Sequence, residues 1–418
     1  MAQSDYPDLP PMRMDIQMIP ASYQGQTVFV IQDPLGFAPH GAALTQQSIG
    51  LLMVLSQSES FLEFQSALTR LQNGVIVSRW EAEKVVEQFD QLFLLETDRY
   101  RHARQRLVEE FGRQRSRPPA LAGQAYPGEA DTLREFLDGM APPLDIRDRI
   151  PPGRAVKAII APHIDFLAGR RVYAAAYAAW PEAAPQRILL LGTGHQLGEW
   201  FFSLTEKDYE TPLGTLPTAA DTVARLREAA GECAAPDDFA HRSEHSLEFQ
   251  SLFIRRRLGD APVRCVPVLC GSFDGLLEQV ARPRDEAGLV PVLDALAEVA
   301  RDPGTLVIAG VDLCHVGLKF GDREPARERE AEARAHDRRL LDALVAGDIA
   351  AFWGEARAAE DRYHVCGLSS LATLLEILGP VQGTVLDYEF WHEDLTQSAV
   401  SFAAAVLWSA DEPSEKQE

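Results

Sequence analysis

The chain is short of basic residues. It has 62 Asp and Glu against 40 Lys and Arg, a formal net charge of −22. A surface of that sign repels phosphate backbones and anionic membranes, which argues against general nucleic-acid or membrane binding. Long apolar runs are also lacking. None approaches the roughly 20 residues needed to cross a bilayer. The first 20 residues lack the basic stretch and apolar core of a secretion signal. Cysteine is scarce: five in 418 residues, an odd number, and scattered. That argues against a disulfide framework and reads as the reduced thiols of a soluble, cytoplasmic protein. Low-complexity tracts and solenoid-period repeats are missing as well. What is present is a globular composition, 46% hydrophobic and 24% charged, in a chain long enough for two domains.

The character of the chain changes near residue 115. Residues 1–115 hold a strand, "TVFVIQDP", that ends at a turn with Pro34 and Gly36. Helical apolar spacing follows at Ile49, Leu52, Met53, Leu55, Phe61, Phe64, Leu68 and Leu71. "SRWEAEKVVEQF" opens with a capping pattern at Ser78 and Glu81. "LFLLET" reads as a terminal strand. The whole predicts a small winged-helix-like α+β domain. After an Arg- and Pro-rich linker, residues 116–410 alternate strand-like and helix-like stretches, which predicts an α/β domain with helices on both faces of a central sheet. Residues 411–418 read as a disordered acidic tail.

Polar residues cluster where the apolar strands stop. "VKAIIAPH" ends at His163, with Asp165 two residues on; "RILLLGTGH" ends at His195; "TLVIAGVDLCH" ends at Asp312 and His315. Ligands of open α/β sheets bind outside the carboxyl ends of strands, so three histidines at such ends point to one crevice. "HRSEHSLEFQ" adds Glu244, His245 and Glu248, before either a strand or a helix that Glu244 would cap. Cys366 precedes a helix, where the dipole favours a thiolate. Two imidazoles and one thiolate suit zinc, copper or iron, and Asp165, Asp312, Glu244 and Glu248 are candidates to orient the ligand histidines. The structural alternatives are a core His163 bonded to Asp165, a Cys366 that merely fills space, and a Glu244 that only caps. Cys265 and Cys270 read as core.

Taken in order, "RPPALAGQAYPGEADTLREFLD", "IIAPHIDF", "LLLGTGHQ", "TPLGTLPTA", "EHSLEFQSLF", "VPVLCG", "VIAGVDLCH", "HVCGLSSL" and "SAVSFAAAVL" resemble the Memo family, protein B of the AmmeMemoRadiSam system. The resemblance spans Arg117 to Trp408. It implies a fold similar to the class III extradiol dioxygenases and a metal site at the positions of His163, His195 and Cys366. The matching pocket positions are Asp312, His315, Glu244, His245 and Glu248. Phe166 stands where many members have Tyr, and Asp165 where they have Gly. The N-terminal region resembles, by pattern, the winged-helix peptide-binding domains similar to the pyrroloquinoline quinone peptide chaperone, which take a peptide by strand addition.

These resemblances set the expectations. One is a metal-dependent oxidoreductase with iron or copper, or alternatively zinc, held by His163, His195 and Cys366. In it His245 or His315 serves as acid or base, and Asp312 and Glu244 orient ligands. The other is a non-catalytic metal- or peptide-binding adaptor beside a radical SAM partner protein. The substrate is an unidentified small molecule or peptide.

Overall fold

The computed structural model describes residues 6, 8–141, 146–259 and 261–410, and every element and count below refers to those residues. The tail expected at 411–418 lies outside them. The chain divides into two compact units, Met1–Arg113 and Gln114–Glu418.

In the first unit, β1 (Gln17–Tyr23), β2 (Gln26–Gln32) and β3 (Ala43–Thr45) form an antiparallel sheet in that order. Then come α1 (Gln46–Ser56), α2 (Phe61–Leu71), α3 (Arg79–Gln91) and α4 (Asp98–Arg113). Sequence reading found β2 alone. β1 contains Pro20 and is mostly exposed, so it lacks the alternation that marks a half-buried strand. The Gln24-Gly25 turn, with φ of 50° and 77°, closes the hairpin. The helix starts follow their caps: Ser60 accepts from the N–H of Glu63, and Ser78 and Glu81 cap each other. The strand expected at "LFLLET" is a single bridge, Leu95 to Met12, because α4 begins three residues later. Arg13 is fully buried, with Nη2 2.7 Å from Asp33 Oδ1 and 2.8 Å from Asp15 Oδ2.

The second unit begins with β4 (Ser116–Arg117), α5 (Ala130–Asp138), β5 (Val156–Ala161), α6 (Phe166–Ala178), β6 (Arg187–Thr193) and β7 (Phe202–Leu204). β8 (Asp208–Thr211), β9 (Gly214–Leu216), α7 (Ala220–Ala230), α8 (His245–Leu258), β10 (Arg264–Cys270), α9 (Asp274–Leu277) and α10 (Val290–Arg301) follow. It closes with β11 (Thr305–Gly310), β12 (His315–Gly317), α11 (Ala326–Val345), α12 (Ile349–Ala359), α13 (Leu368–Leu378), β13 (Val381–Glu393) and β14 (Ser398–Ser409).

Its central sheet is mixed and eight-stranded, ordered β12-β14-β5-β11-β6-β10-β7, with β13 also on β14. β5, β11, β6 and β10 run parallel to one another. Successive residues of these strands feed opposite faces. Ile160, Leu189, Leu191, Val268 and Val307 join one core, under α7, α10, α12 and α13. Ile159, Ile188, Leu190, Leu269 and Ile308 join the other, under α5, α6 and α8. Burial on both faces explains why the strands read as unbroken apolar runs. The register sets Gly310 level with Ala161 of β5 on one side and Gly192 of β6 on the other. The residues just beyond those three therefore emerge side by side.

Candidate metal centre

His163 follows β5 by two residues and is buried. Its Nδ1 lies 3.0 Å from the carbonyl oxygen of Gly310. A carbonyl only accepts, so Nδ1 carries the proton and Nε2 presents its lone pair. Asp312, two residues beyond β11, accepts the backbone N–H of His163 at 2.9 Å and that of Ile164 at 3.3 Å through Oδ1. Its Oδ2 stands 3.7 Å from His163 Nε2. Burial, then the neighbouring imidazoles of His245 and His195, pushes His163 well below its ordinary pKa. It is a neutral donor, as a ligand must be.

His195 follows β6 by two residues. Its backbone N–H and ring Nδ1 both meet the Glu244 carboxylate, at 3.0 Å each, which turns Nε2 the other way. Burial opposes a charge on His195, but Glu244 and Cys366 outweigh it and raise its pKa well above the ordinary value, so a metal at Nε2 would have to displace a proton there. Glu244 caps α8 by accepting the Ser246 N–H at 3.0 Å, and its Oε1 lies 3.2 Å from His245 Nδ1. Burial would raise Glu244, yet the two histidines hold it well below the usual carboxylate range. It therefore combines the two roles that sequence left as alternatives. The rings of His163, His195 and His245 form a near-equilateral triangle, with centroids 5.1, 5.0 and 5.0 Å apart.

Cys366 comes from the far side, just before α13. Its Sγ lies 3.4 Å from His163 Nε2, and its carbonyl accepts from the Thr193 hydroxyl at 3.1 Å. The expected lowering of its pKa at a helix start is overturned: burial raises the thiol and outweighs the hydrogen bond from His195. Two close approaches permit this assembly. A Cβ at Gly367 would sit 2.5 Å from the Asp312 carbonyl oxygen. One at Gly310 would sit 2.5 Å from the Ser246 carbonyl oxygen, where the first turn of α8 rests on the sheet.

Other expected residues go elsewhere. Asp165 caps α6, its Oδ1 accepting the Leu167 N–H at 2.8 Å, and orients no histidine. Phe166 packs in an aromatic core with Phe249, Tyr173 and Phe253. Glu248 points away from the histidines. It is fully buried, pairs with Arg117 at 2.5 Å, bonds Tyr126, and accepts the N–H groups of Ala120 and Leu121 at 3.1 and 2.9 Å. The "RPPALAGQAYP" segment is thereby pinned to α8. β11 ends at Gly310, so it delivers Asp312 rather than a histidine. His315 instead opens β12, with Nδ1 3.0 Å from the Leu313 carbonyl and its ring on Phe320. Burial lowers its pKa to about 4. The Gly310 carbonyl and the Thr193 hydroxyl were missed; a glycine inside a strand was the one signal for the first.

Residues 117–406 match the Memo-like protein family. The chain belongs to the Memo family. A MEMO1 family protein of Thermus thermophilus is 32% identical over 339 residues, covering 80% of this chain and 95% of the relative. One from Aquifex aeolicus is 26% identical over 384 residues, covering 91% and 96%. One from Methanopyrus kandleri is 29% identical over 290 residues, covering 65% and 91%. The Aquifex match is longer than the second unit of this Memo protein, so it runs into the first as well. No described helix is long and apolar enough to cross a membrane.

The donor set suits a metal ion. The ligand atoms of His163, His195 and Cys366 all lie within 4.8 Å of one another. Bonds of roughly 2.0–2.3 Å to one ion separate tetrahedral donors by about 3.5 Å. The His163 Nε2 to Cys366 Sγ distance of 3.4 Å already meets that. Both histidines have Nδ1 tied down, the arrangement that fixes the tautomer of a metal ligand.

Proposed function

We propose that this protein is a metal-dependent oxidoreductase in which His163, His195 and Cys366 hold iron or copper. The observation that carries the proposal is the convergence of two oriented imidazoles and a thiol from three separate segments. A bound iron or copper ion would supply one-electron chemistry, and the soft thiolate favours those metals over magnesium or calcium. The side chains do the rest. Glu244 fixes the ring planes of His195 and His245 together. His245, the third corner of the imidazole triangle, takes or gives a proton to a substrate in the crevice. Asp312 holds the backbone of His163 and Ile164, and so the direction of the His163 ring.

The test begins with untagged protein from metal-replete cells. Mass spectrometry of bound metal should show iron or copper near one per chain, and little in His163→Ala. Oxygen uptake with catechols and peptides then probes the reaction. Equal, near-zero metal in both proteins would refute the site, and zinc alone would point to a hydrolytic metal-bound water instead.

A second reading, an adaptor, draws on β1. It pairs along its full length with β2 and forms the edge of its sheet, the kind of strand that accepts an extended peptide. On that reading the first unit recruits a peptide or a radical SAM partner. A pull-down comparing the full chain with Gln114–Glu418 tests it; no partner dependent on residues 1–113 would count against it.

A further inference from the structure

Away from the metal centre, arginines of the second unit gather around one hollow. Arg282, Arg284 and Arg301 line a cavity of about 610 Å³ at the C-terminal ends of α10 and α13. In a chain with 62 acidic and 40 basic residues, three guanidiniums on one cavity reverse the local charge.

Two carboxylates face them, with different roles. Glu376 is fully buried and takes Arg282 Nε at 2.9 Å, Arg282 Nη2 at 2.6 Å and Arg284 Nε at 3.3 Å. It also accepts the Arg284 backbone N–H at 3.3 Å. Both its oxygens are committed from beneath, so it aims the arginines. Asp294 stands on the exposed rim and pairs with Arg284 Nη1. Arg301 donates Nε–H to the Ile377 carbonyl at 3.1 Å. The count is three positive charges against two negative. The Arg282 and Arg284 side chains remain 40% and 28% exposed.

Leu375, Val381 and Ile349 supply an apolar wall to the same cavity. Arg282 and Arg284 spend Nε and one Nη on Glu376 and Asp294, whereas Arg301 spends only Nε. The Nη1/Nη2 edge of Arg301 is therefore the fork that matches a planar or tetrahedral oxyanion, with the remaining Nη groups of Arg282 and Arg284 beside it. The volume falls in the range of small-molecule sites. We infer that this cavity binds a small molecule carrying a phosphate or carboxylate on an apolar body. It is a site distinct from the metal centre: Cys366 precedes α13 and Glu376 lies near its other end, on the order of 15 Å along the axis.

Calorimetric titration of the full chain with AMP, benzoate and inorganic phosphate at fixed ionic strength tests this. Saturable binding of AMP or benzoate is expected, about tenfold tighter than inorganic phosphate, the apolar wall contributing roughly 1.4 kcal/mol. Whichever organic probe wins assigns the oxyanion. Arg301→Gln should weaken binding about tenfold, and it leaves the Glu376 pairs intact, so the fold survives. Arg301→Lys keeps the charge, loses the fork and should also weaken binding. Absence of saturable heat from all three probes overturns the inference, as does binding that Arg301→Gln leaves unchanged. Equal affinity for inorganic phosphate overturns the apolar body. Binding seen only in a chain ending at Ala410, which lines the cavity, would make the four carboxylates of residues 411–418 the occupant instead.

Discussion

Cys366 Sγ and His163 Nε2 face each other across 3.4 Å, although 203 positions separate them in the chain. Asp312 stands behind both: its carbonyl oxygen is 3.6 Å from Cys366 Sγ and its Oδ2 is 3.7 Å from His163 Nε2. Replacing the soft sulfur with a hard oxygen in Cys366→Ser should therefore cut iron or copper retention about tenfold or more, with little change in folding. Metal analysis beside a thermal melt reads both. Full retention would remove Cys366 from the ligand set.

Glu244 offers a different kind of test, since it stands behind His195 and outside the proposed ligand set, although with His195 and His245 it forms a second group close enough to hold an ion. Glu244→Gln keeps an acceptor for the Ser246 N–H but loses the charge that His195 and His245 share. Loss of such an outer partner costs about 10–100-fold in metal affinity. A competition titration with a calibrated chelator measures it, and an unchanged affinity would leave Glu244 as a cap only.

Glu248 should behave in the opposite way. Its pair with Arg117 is buried on both sides, and removing one partner strands the other charge. Glu248→Ala should cost about 3–5 kcal/mol in urea denaturation while metal bound per folded molecule stays constant. A stable variant that had lost its metal would contradict this division of labour.

The first unit carries its own acid sensitivity. Burial works against ionising Asp33, but Arg13 and the N–H groups of Ala38 and Leu35 outweigh it and hold the carboxyl below its ordinary 3.8. A depressed carboxyl stabilises the fold above its unfolded value, and that contribution is lost as pH falls through the folded one. Hydrogen exchange in the peptides around residues 26–45 should thus accelerate below about pH 4. Asp33→Asn should exchange faster at neutral pH and show a flatter pH response.

How legible was all this beforehand? His163 and His195 were visible because each follows an apolar strand by two residues, and double burial makes such strands plain. The α/β organisation was visible for the same reason. Asp312 and His315 both read as the end of one strand, but β11 stops at Gly310 and His315 opens β12. The turn that ends β11 is set by Gly310 meeting α8, a contact between distant segments that no local pattern reports. Asp165 was misread despite a usable signal: an acid directly before a helical stretch is an ordinary N-cap. Glu244 and Glu248 sit one helical turn apart, yet serve the histidines and Arg117 respectively. β1 was missed because an exposed edge strand leaves almost no hydrophobic trace.

The alternation of β11 between two cores has a practical corollary for anyone altering this chain. Deleting a single residue there would swap every side chain downstream to the opposite face and carry Asp312 away from His163. Adding several residues at the exposed Gln24-Gly25 turn between β1 and β2, by contrast, changes only the reach of a hairpin. Tolerance to length change in this protein is therefore a matter of parity rather than size: the sheet counts odd from even, and the loops do not.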